Sequence, residues 1–305
     1  MNDAIVTVGG FTKTYGAFVA VQDITFSVQR GEIFGLLGPN GAGKTTTLEC
    51  LEGLRQPDSG TLSVAGVDPT REHSKLRNVI GVQLQSGGMP ENITPDEAMR
   101  LFCAYHKVDP QYHLLDRLGL SEKRNTQFHQ LSTGQQRRLA LALAVAHDPQ
   151  VLFLDEPTAG LDVASRVELH TLMRELQASG TTMILATHDM AEAEEMSDRV
   201  AILLRGQLVT IGTPMEITAT GAGFTKVTVR TAGSTFLTGE HDLPAVSQRM
   251  VNEPYAVYFS TDIGQTVGAI IRTLEAADDT LIDLRVERPS LEERFLELTS
   301  PGGQA

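Results

Sequence analysis

The chain has 305 residues, with 38 Asp or Glu against 25 Lys or Arg and a formal net charge of −13. The length suits two domains with full hydrophobic cores, and the acidic balance excludes a surface built to grip nucleic-acid phosphates, which requires clustered basic groups. Cys50 and Cys103 show neither metal spacing nor a disulfide framework and read as buried thiols, no apolar run nears the ~20 residues of a membrane span, and MNDAIVTV lacks the charged and apolar regions of a signal sequence.

Alternating apolar residues predict antiparallel strands over 5–8 and 18–28, with Lys13-Thr14-Tyr15-Gly16 between them. The short apolar run 32–37 reads as a buried parallel strand, and a helix is predicted over 45–54. Between them stands GPNGAGKT, residues 38–45. A glycine, four residues, then Gly43, Lys44 and Thr45 is the pattern of a phosphate-binding loop. Gly38, Gly41 and Gly43 let backbone N–H groups close on phosphate oxygens that a Cβ would obstruct. Pro39, Asn40 and Ala42 complete the loop, and Thr46 continues it into the helix. Lys44 is spaced to reach the β and γ phosphates, and Thr45 to ligate Mg²⁺. The helix N-terminus adds a partial positive charge there.

Asp58-Ser59-Gly60 is a turn before a strand over 61–64, and 77–83 reads as another strand, ending at Val82-Gln83-Leu84-Gln85. TPDE at 94–97 is a capping pattern opening a helix with Ala98, Leu101, Phe102 and Tyr105 on one face, within a largely helical segment over about 94–147. In Leu131-Ser132-Thr133-Gly134-Gln135-Gln136, the serine hydroxyl and the Gly134 N–H at a helix start form either an anion site or an ordinary N-cap.

VLFLDE at 151–156 sets two carboxylates at the end of an apolar strand, followed by a helix over 163–178 and a buried strand over 181–186. Strands alternating with helices indicate an α/β architecture around a parallel sheet. Ligands of such sheets collect at the carboxyl ends of the strands. Asp155, Glu156 and His188 therefore share an edge with the phosphate loop. Asp155 is the candidate partner of Mg²⁺, directly or through water. Glu156 is the candidate to polarise a water aimed at the γ phosphate. His188 is either a γ-phosphate hydrogen-bond partner or a structural imidazole.

Composition changes after Thr213-Pro214, with Gly221-Ala222-Gly223 reading as a linker. Beyond it Val227 and Val229, then Tyr255, Val257 and Phe259, alternate as half-buried strands; Ile263, Val267, Ile270, Ile271 and Leu274 mark a helix face; Ile282, Leu284 and Val286 alternate again; and SLEE at 290–293 starts a last helix. This is a small α+β domain without a chemical motif.

The ordered set GPNGAGKTT, Gln85, LSTGQQRRLALA, VLFLDEP, AGLD at 159–162 and ATHD at 186–189 resembles the nucleotide-binding subunits of ABC transporters over residues 4 to about 213. The resemblance implies a P-loop NTPase domain over 1–213, with an antiparallel β subdomain and a helical subdomain at about 86–147, plus a C-terminal accessory α+β domain over 214–305. It implies ATP hydrolysis with Mg²⁺, in which Glu156, His188 and Gln85 are catalytic and Thr45, Gln85 and Asp155 hold the metal. Gln85 matches the glutamine that meets Mg²⁺ and moves with the membrane partner, with Gln83 a nearby competitor. Tyr15 matches the aromatic that stacks on adenine, the alternative being a strand-edge tyrosine.

By the same resemblance Ser132, Gly134 and Gln135 meet the ATP held by the phosphate loop of a second, identical copy, and Asp162 links the two sites. LSTGQ departs from the common LSGGQ at Thr133, which is tolerable unless the backbone there needs a positive φ. The tail RPSLEERFLEL at 288–298 looks like that of ATPases paired with ABC-2 type permeases; a surface helix with Leu291, Phe295 and Leu298 turned inward fits it equally. The expected partner is thus an integral-membrane permease, docked over about 86–107 for export, with this chain peripheral on the cytoplasmic face of the cell membrane. No nucleic-acid partner is expected: an ABC-type ATPase acting on DNA or ribosomes would bring tandem cassettes, a coiled-coil insertion or a basic surface. A ligand-sensing role for the C-terminal domain is compatible with the transporter reading.

Overall fold

The computed structural model describes residues 4–83, 88–219, 225–238 and 241–299. Strands β1 (Ala4–Tyr15) and β2 (Phe18–Gln29) form a long hairpin turned at Gly16-Ala17, where Gly16 takes φ +60°. Register shifts at three places between Val8 and Thr14 carry the pairing past the alternation of 5–8, so Lys13, Thr14 and Tyr15 belong to β1 and not to a connection. Strand β3 (Ile33–Leu37), buried at every residue, runs into the phosphate loop, from which α1 (Lys44–Leu51) rises. Strand β4 (Ser59–Val64) pairs with β1 and completes an antiparallel sheet in the order β2-β1-β4.

The segment 77–83 is not one strand. Helix α2 (His73–Val79), anchored by buried Leu76, includes Arg77-Asn78-Val79, and only β5 (Ile80–Gln83) pairs with a neighbouring strand. A short apolar run does not by itself separate helix from strand.

Helix α3 (Pro95–His106) begins with the capping box expected at Thr94 and Glu97. It buries Ala98, Met99 and Cys103, whereas Leu101 and Tyr105 are each 57% exposed. Apolar residues cover more of this helix than the core can reach, so two of the residues expected inside face out. Helices α4 (Tyr112–Arg117) and α5 (Thr133–Val145) follow, then β6 (Val151–Asp155), α6 (Val163–Ala178), β7 (Thr182–Thr187), α7 (Met190–Met196), β8 (Arg199–Leu204) and β9 (Gln207–Gly212). The β8–β9 hairpin, which no sequence pattern above predicts, turns at Arg205-Gly206 with both residues at positive φ.

The six-stranded sheet has the order β5-β6-β7-β3-β8-β9, parallel except for β9. Its strands alternate between two cores. Phe34, Leu36, Phe153 and Ile184 join the antiparallel strands and Leu48 and Leu51 of α1; Ile33, Leu152, Leu154 and Leu185 join the helices α3 to α6. Fully burying each such side chain contributes ~1.5–3 kcal/mol, which fixes the carboxyl ends of β3, β6 and β7 side by side.

The chain divides into two compact units, Met1–Thr213 and Pro214–Ala305. The second holds α8 (Pro214–Ala219), β10 (Thr225–Thr231), β11 (Val246–Asn252), β12 (Tyr255–Ser260), α9 (Ile263–Ala277), β13 (Leu281–Glu287) and α10 (Leu291–Thr299), with an antiparallel sheet in the order β11-β12-β10-β13. The Gly221-Ala222-Gly223 segment lies outside the described residues. On β12, Ala256 and Tyr258 oppose Val229 and Val227 in the core; of the expected residues Val257 is buried, while Tyr255 and Phe259 are half-buried. On α9, Ile270 and Leu274 are buried but Ile271 is 43% exposed. Ser290 and Glu293 exchange capping hydrogen bonds at the start of α10, as SLEE predicts. Among the described residues, no helix is long and apolar enough to cross a membrane.

Candidate active site

The phosphate loop is held by close backbone packing. A Cβ on Gly38, at φ +152°, would lie 2.3 Å from the Leu203 carbonyl oxygen; one on Gly43, at φ +106°, would lie 2.6 Å from that of Ala20. Gly43 is the N-cap of α1, so the loop ends where the helix presents its unpaired N–H groups. Lys44, 6% exposed, folds back along the loop and its Nζ donates to the Gly38 carbonyl at 2.7 Å and the Pro39 carbonyl at 3.4 Å. Burial pulls this ammonium below its ordinary range, opposed by the charges of Glu156 and Asp155.

Strand β6 ends at Asp155, whose Oδ2 accepts from Thr45 Oγ1 at 3.1 Å. Burial raises the Asp155 carboxyl, and the Thr45 hydrogen bond opposes the rise. A threonine hydroxyl and a carboxylate in contact are hard oxygen donors of the kind Mg²⁺ takes. Glu156 follows in the left-handed region, at φ +50°, with its N–H bound to the Ala186 carbonyl of β7. That conformation turns its carboxylate toward the loop. Oε1 lies 3.9 Å from Lys44 Nζ, and both carboxylate oxygens lie 2.8 Å from His188 Nδ1.

A cleft of about 180 Å³ runs between these groups and the first hairpin. Asn40 to Thr46, Asp155 and Glu156 line one side, Tyr15 and Phe18 the other. Tyr15 is 40% exposed, with Lys13 Nζ 5.5 Å and the Arg55 guanidinium 5.6 Å from its ring centroid. Phe18, 61% exposed, is a lining residue that no sequence motif singles out; it pairs directly with Tyr15 across the hairpin. The alternation within 18–28 marks Phe18 only as strand.

An ABC transporter family model matches residues 21–159. Over 98% of its length the chain is 34% identical to the daunorubicin resistance ATP-binding protein DrrA3 of Streptomyces coeruleorubidus, covering 97% of that protein. The chain belongs to the ATP-binding proteins of ABC transporters. The Nod factor export ATP-binding protein I of Ralstonia nicotianae is 38% identical over 70% of this chain and 68% of its own length. Among solved structures, an ATP-binding cassette captured as a dimer in a post-hydrolysis state with ADP and Pi superposes with a TM-score of 0.64 at 25% identity, covering 68% of this chain and 98% of that one. This ABC protein is thus an ATPase subunit of a transporter.

In this ABC ATPase, Ser132, Gly134, Gln135 and Asp162 do not line the cleft. Ser132 caps α5, and its Oγ accepts from the Gln135 N–H at 3.3 Å while Gln135 Oε1 accepts from the Ser132 N–H at 3.0 Å. Ser132 and Thr133 are exposed, and Thr133 takes no positive φ, so the departure from LSGGQ carries no backbone strain. Asp162 caps α6, with hydrogen bonds from the Ser165 N–H and hydroxyl that hold its carboxyl below the usual range. Gly134 approaches the same Ser165, so the starts of α5 and α6 adjoin. Gln85 lies outside the described residues. Gln83, its competitor, is 1% exposed on β5, with neither amide atom hydrogen-bonded among the described residues.

Two further supports have no role assigned from the sequence. Arg137 of α5 donates from Nη1 to the Glu156 carbonyl at 3.0 Å. Buried Glu192 of α7 accepts from Thr158 Oγ1 at 2.7 Å and lies 3.3 Å from His170 Nε2, tying the loop after Glu156 to α6 and α7. Arg137 lies within LSTGQQRRLALA, but nothing in that motif indicates its contact with Glu156.

Proposed function

We propose that this ABC transporter ATPase binds ATP between two copies of itself and drives export through a separate ABC-2 type permease from the cytoplasmic face of the membrane. The observation that carries the reading is the division of its polar groups. Lys44, Thr45, Asp155 and Glu156 converge on one cleft, with His188 against the Glu156 carboxylate, while Ser132, Gly134 and Gln135 lie at the start of α5, away from it. A helix N-terminus with free N–H groups is an anion site. One copy leaves it without a phosphate to meet; a second, head-to-tail copy supplies one.

In this reading Lys44 and the loop N–H groups of Gly41 to Thr46 hold the phosphates, and Tyr15, with Phe18 beside it, takes the adenine face. Thr45, Asp155 and Gln85 would hold Mg²⁺, which would supply neutralisation of phosphate charge. Glu156 orients and deprotonates the attacking water, while His188 holds that carboxylate and senses the γ phosphate. Asp162, adjoining the start of α5 through Ser165, carries the state of one site to the other. Closure of the dimer on ATP and its opening after hydrolysis are the two states whose populations drive transport. Daunorubicin resistance and Nod factor export in the names of the relatives support the export direction.

The permease docks, in this reading, against the helical segment 86–107. A groove of about 400 Å³ there, lined by Met89, Phe102, Tyr105, Leu143 and Leu54, supports it.

Sedimentation of Glu156→Gln with ATP tests the two-copy site. A dimer that forms with ATP, and that Ser132→Ala abolishes without weakening ATP binding by the monomer, is the expected result. An unchanged dimer in the double variant refutes the site shared between copies.

A further inference from the structure

Apolar docking leaves a buried acid of the groove unexplained. Glu52 is the C-cap of α1, lines the groove and is 7% exposed, with Oε2 buried and without a hydrogen-bond partner among the described residues. Among the described residues, the influences on its charge are adverse. Burial, and after it the acids Asp155 and Glu49, push its carboxyl up to about 8. A carboxylate at a helix C-terminus also meets the negative end of the helix dipole. A buried acid without a partner is destabilising, and cores replace such groups by apolar ones at little loss. Its unpartnered oxygen beside a concavity points to a partner that arrives from outside.

Of the other polar groups of the groove, Arg77 and His147 Nε2 have partners, while His147 Nδ1, like Glu52 Oε2, is buried without a hydrogen-bond partner among the described residues. The Arg77 guanidinium stacks 5.5 Å over the Tyr105 ring and its Nη2 reaches Ser74 Oγ at 3.4 Å. His106 and His147 stack at 3.8 Å, both held below the ordinary imidazole range chiefly by burial, and His147 Nε2 contacts the Ile80 carbonyl. Around them Leu54 and Tyr105 are 61% and 57% exposed, large side chains that an apolar partner would cover.

We propose that the groove receives an apolar helix of the permease carrying one basic side chain, Lys or Arg, that pairs with Glu52. The inference rests on the reading that the permease docks against this segment. A neutral donor would satisfy one oxygen but leave the repulsion from Asp155 and Glu49; a cation offsets both. The cytoplasmic loops of membrane proteins are rich in Lys and Arg, and the acidic chain, at −13, favours the approach of such a loop.

Fluorescence anisotropy with labelled helical peptides of about 18 residues, identical in a Leu/Ala face and differing only in a central Arg, Gln or Glu, tests this on the full chain. The Arg peptide is expected to bind about tenfold tighter than the Gln peptide, with the Glu peptide weakest. Glu52→Gln should bring the Arg peptide to the level of the Gln peptide, and Leu54→Asp should weaken all three. If the Arg and Gln peptides bind alike, or the preference survives Glu52→Gln, recognition by Glu52 is wrong although the groove still docks a helix. If no peptide binds, or Leu54→Asp changes none of them, the docking reading fails as well.

Discussion

His188 Nδ1 lies 2.8 Å from both carboxylate oxygens of Glu156, so one imidazole fixes the direction of the acid proposed to handle the attacking water. His188 is 56% exposed at its side chain whereas Glu156 is 7% exposed, so an exposed imidazole orients a buried acid. Replacing a positioned base typically costs ~10²- to 10⁴-fold in rate. Glu156→Gln is therefore expected to keep ATP binding, by nucleotide fluorescence, and to lose phosphate release by that factor. Near-normal turnover in this variant would exclude Glu156 as the base.

Arg137 reaches the same acid from behind, through the Glu156 carbonyl. It holds the backbone of a residue at φ +50°, a conformation unfavourable for a side-chain-bearing residue. Arg137→Ala should lower kcat about tenfold or more while leaving the KM for ATP unchanged, since the guanidinium does not line the cleft. In a Glu156→Gln background the same change should have little further effect, because both act on one step. Additive losses would show that Arg137 serves the fold or the helical segment and not Glu156.

The loop geometry makes a prediction about folding as well as binding. Gly43→Ala sets a methyl 2.6 Å from the Ala20 carbonyl in a backbone conformation that L-residues avoid. The strain should lower stability by ~1–3 kcal/mol, read as a fall in Tm without ATP, and ATP should recover less of that Tm than in the unsubstituted chain. An unaltered Tm would mean that the loop relaxes freely.

What could be read from the sequence follows from how local the signal is. The loop 38–45, the caps at Thr94 and Ser132 and the acids ending β6 are each set by a few adjacent residues, and each stands in the fold where its pattern indicates. What failed depended on contacts between distant segments. Arg77 to Val79 joined a helix because only Ile80 onward finds β6 beside it. Leu101 and Tyr105 stayed outside because the core under α3 is narrower than its apolar surface. Phe18 entered the cleft through its pairing with Tyr15, and Arg137 met Glu156 across 19 positions, a distance no motif encodes.

Glu52 gives the pH dependence. Its carboxyl has a folded-state pKa of about 8 against an ordinary 4.5, so the folded chain binds this proton more tightly than the unfolded chain. Stability from this group is therefore fully present below about pH 4.5, declines as the pH rises and is lost by about pH 8. A tenfold difference in proton affinity between the folded and unfolded chain is worth ~1.36 kcal/mol, so the decline amounts to about 2–4 kcal/mol once partial relaxation of the site is allowed for. Glu52→Gln keeps the shape and removes the proton equilibrium. Its Tm should match that of the unsubstituted chain near pH 5 and exceed it by several degrees near pH 8. A gap that does not change between the two pH values would mean that Glu52 already has a partner for its charge, and the groove would then present no acid for a basic helix to meet.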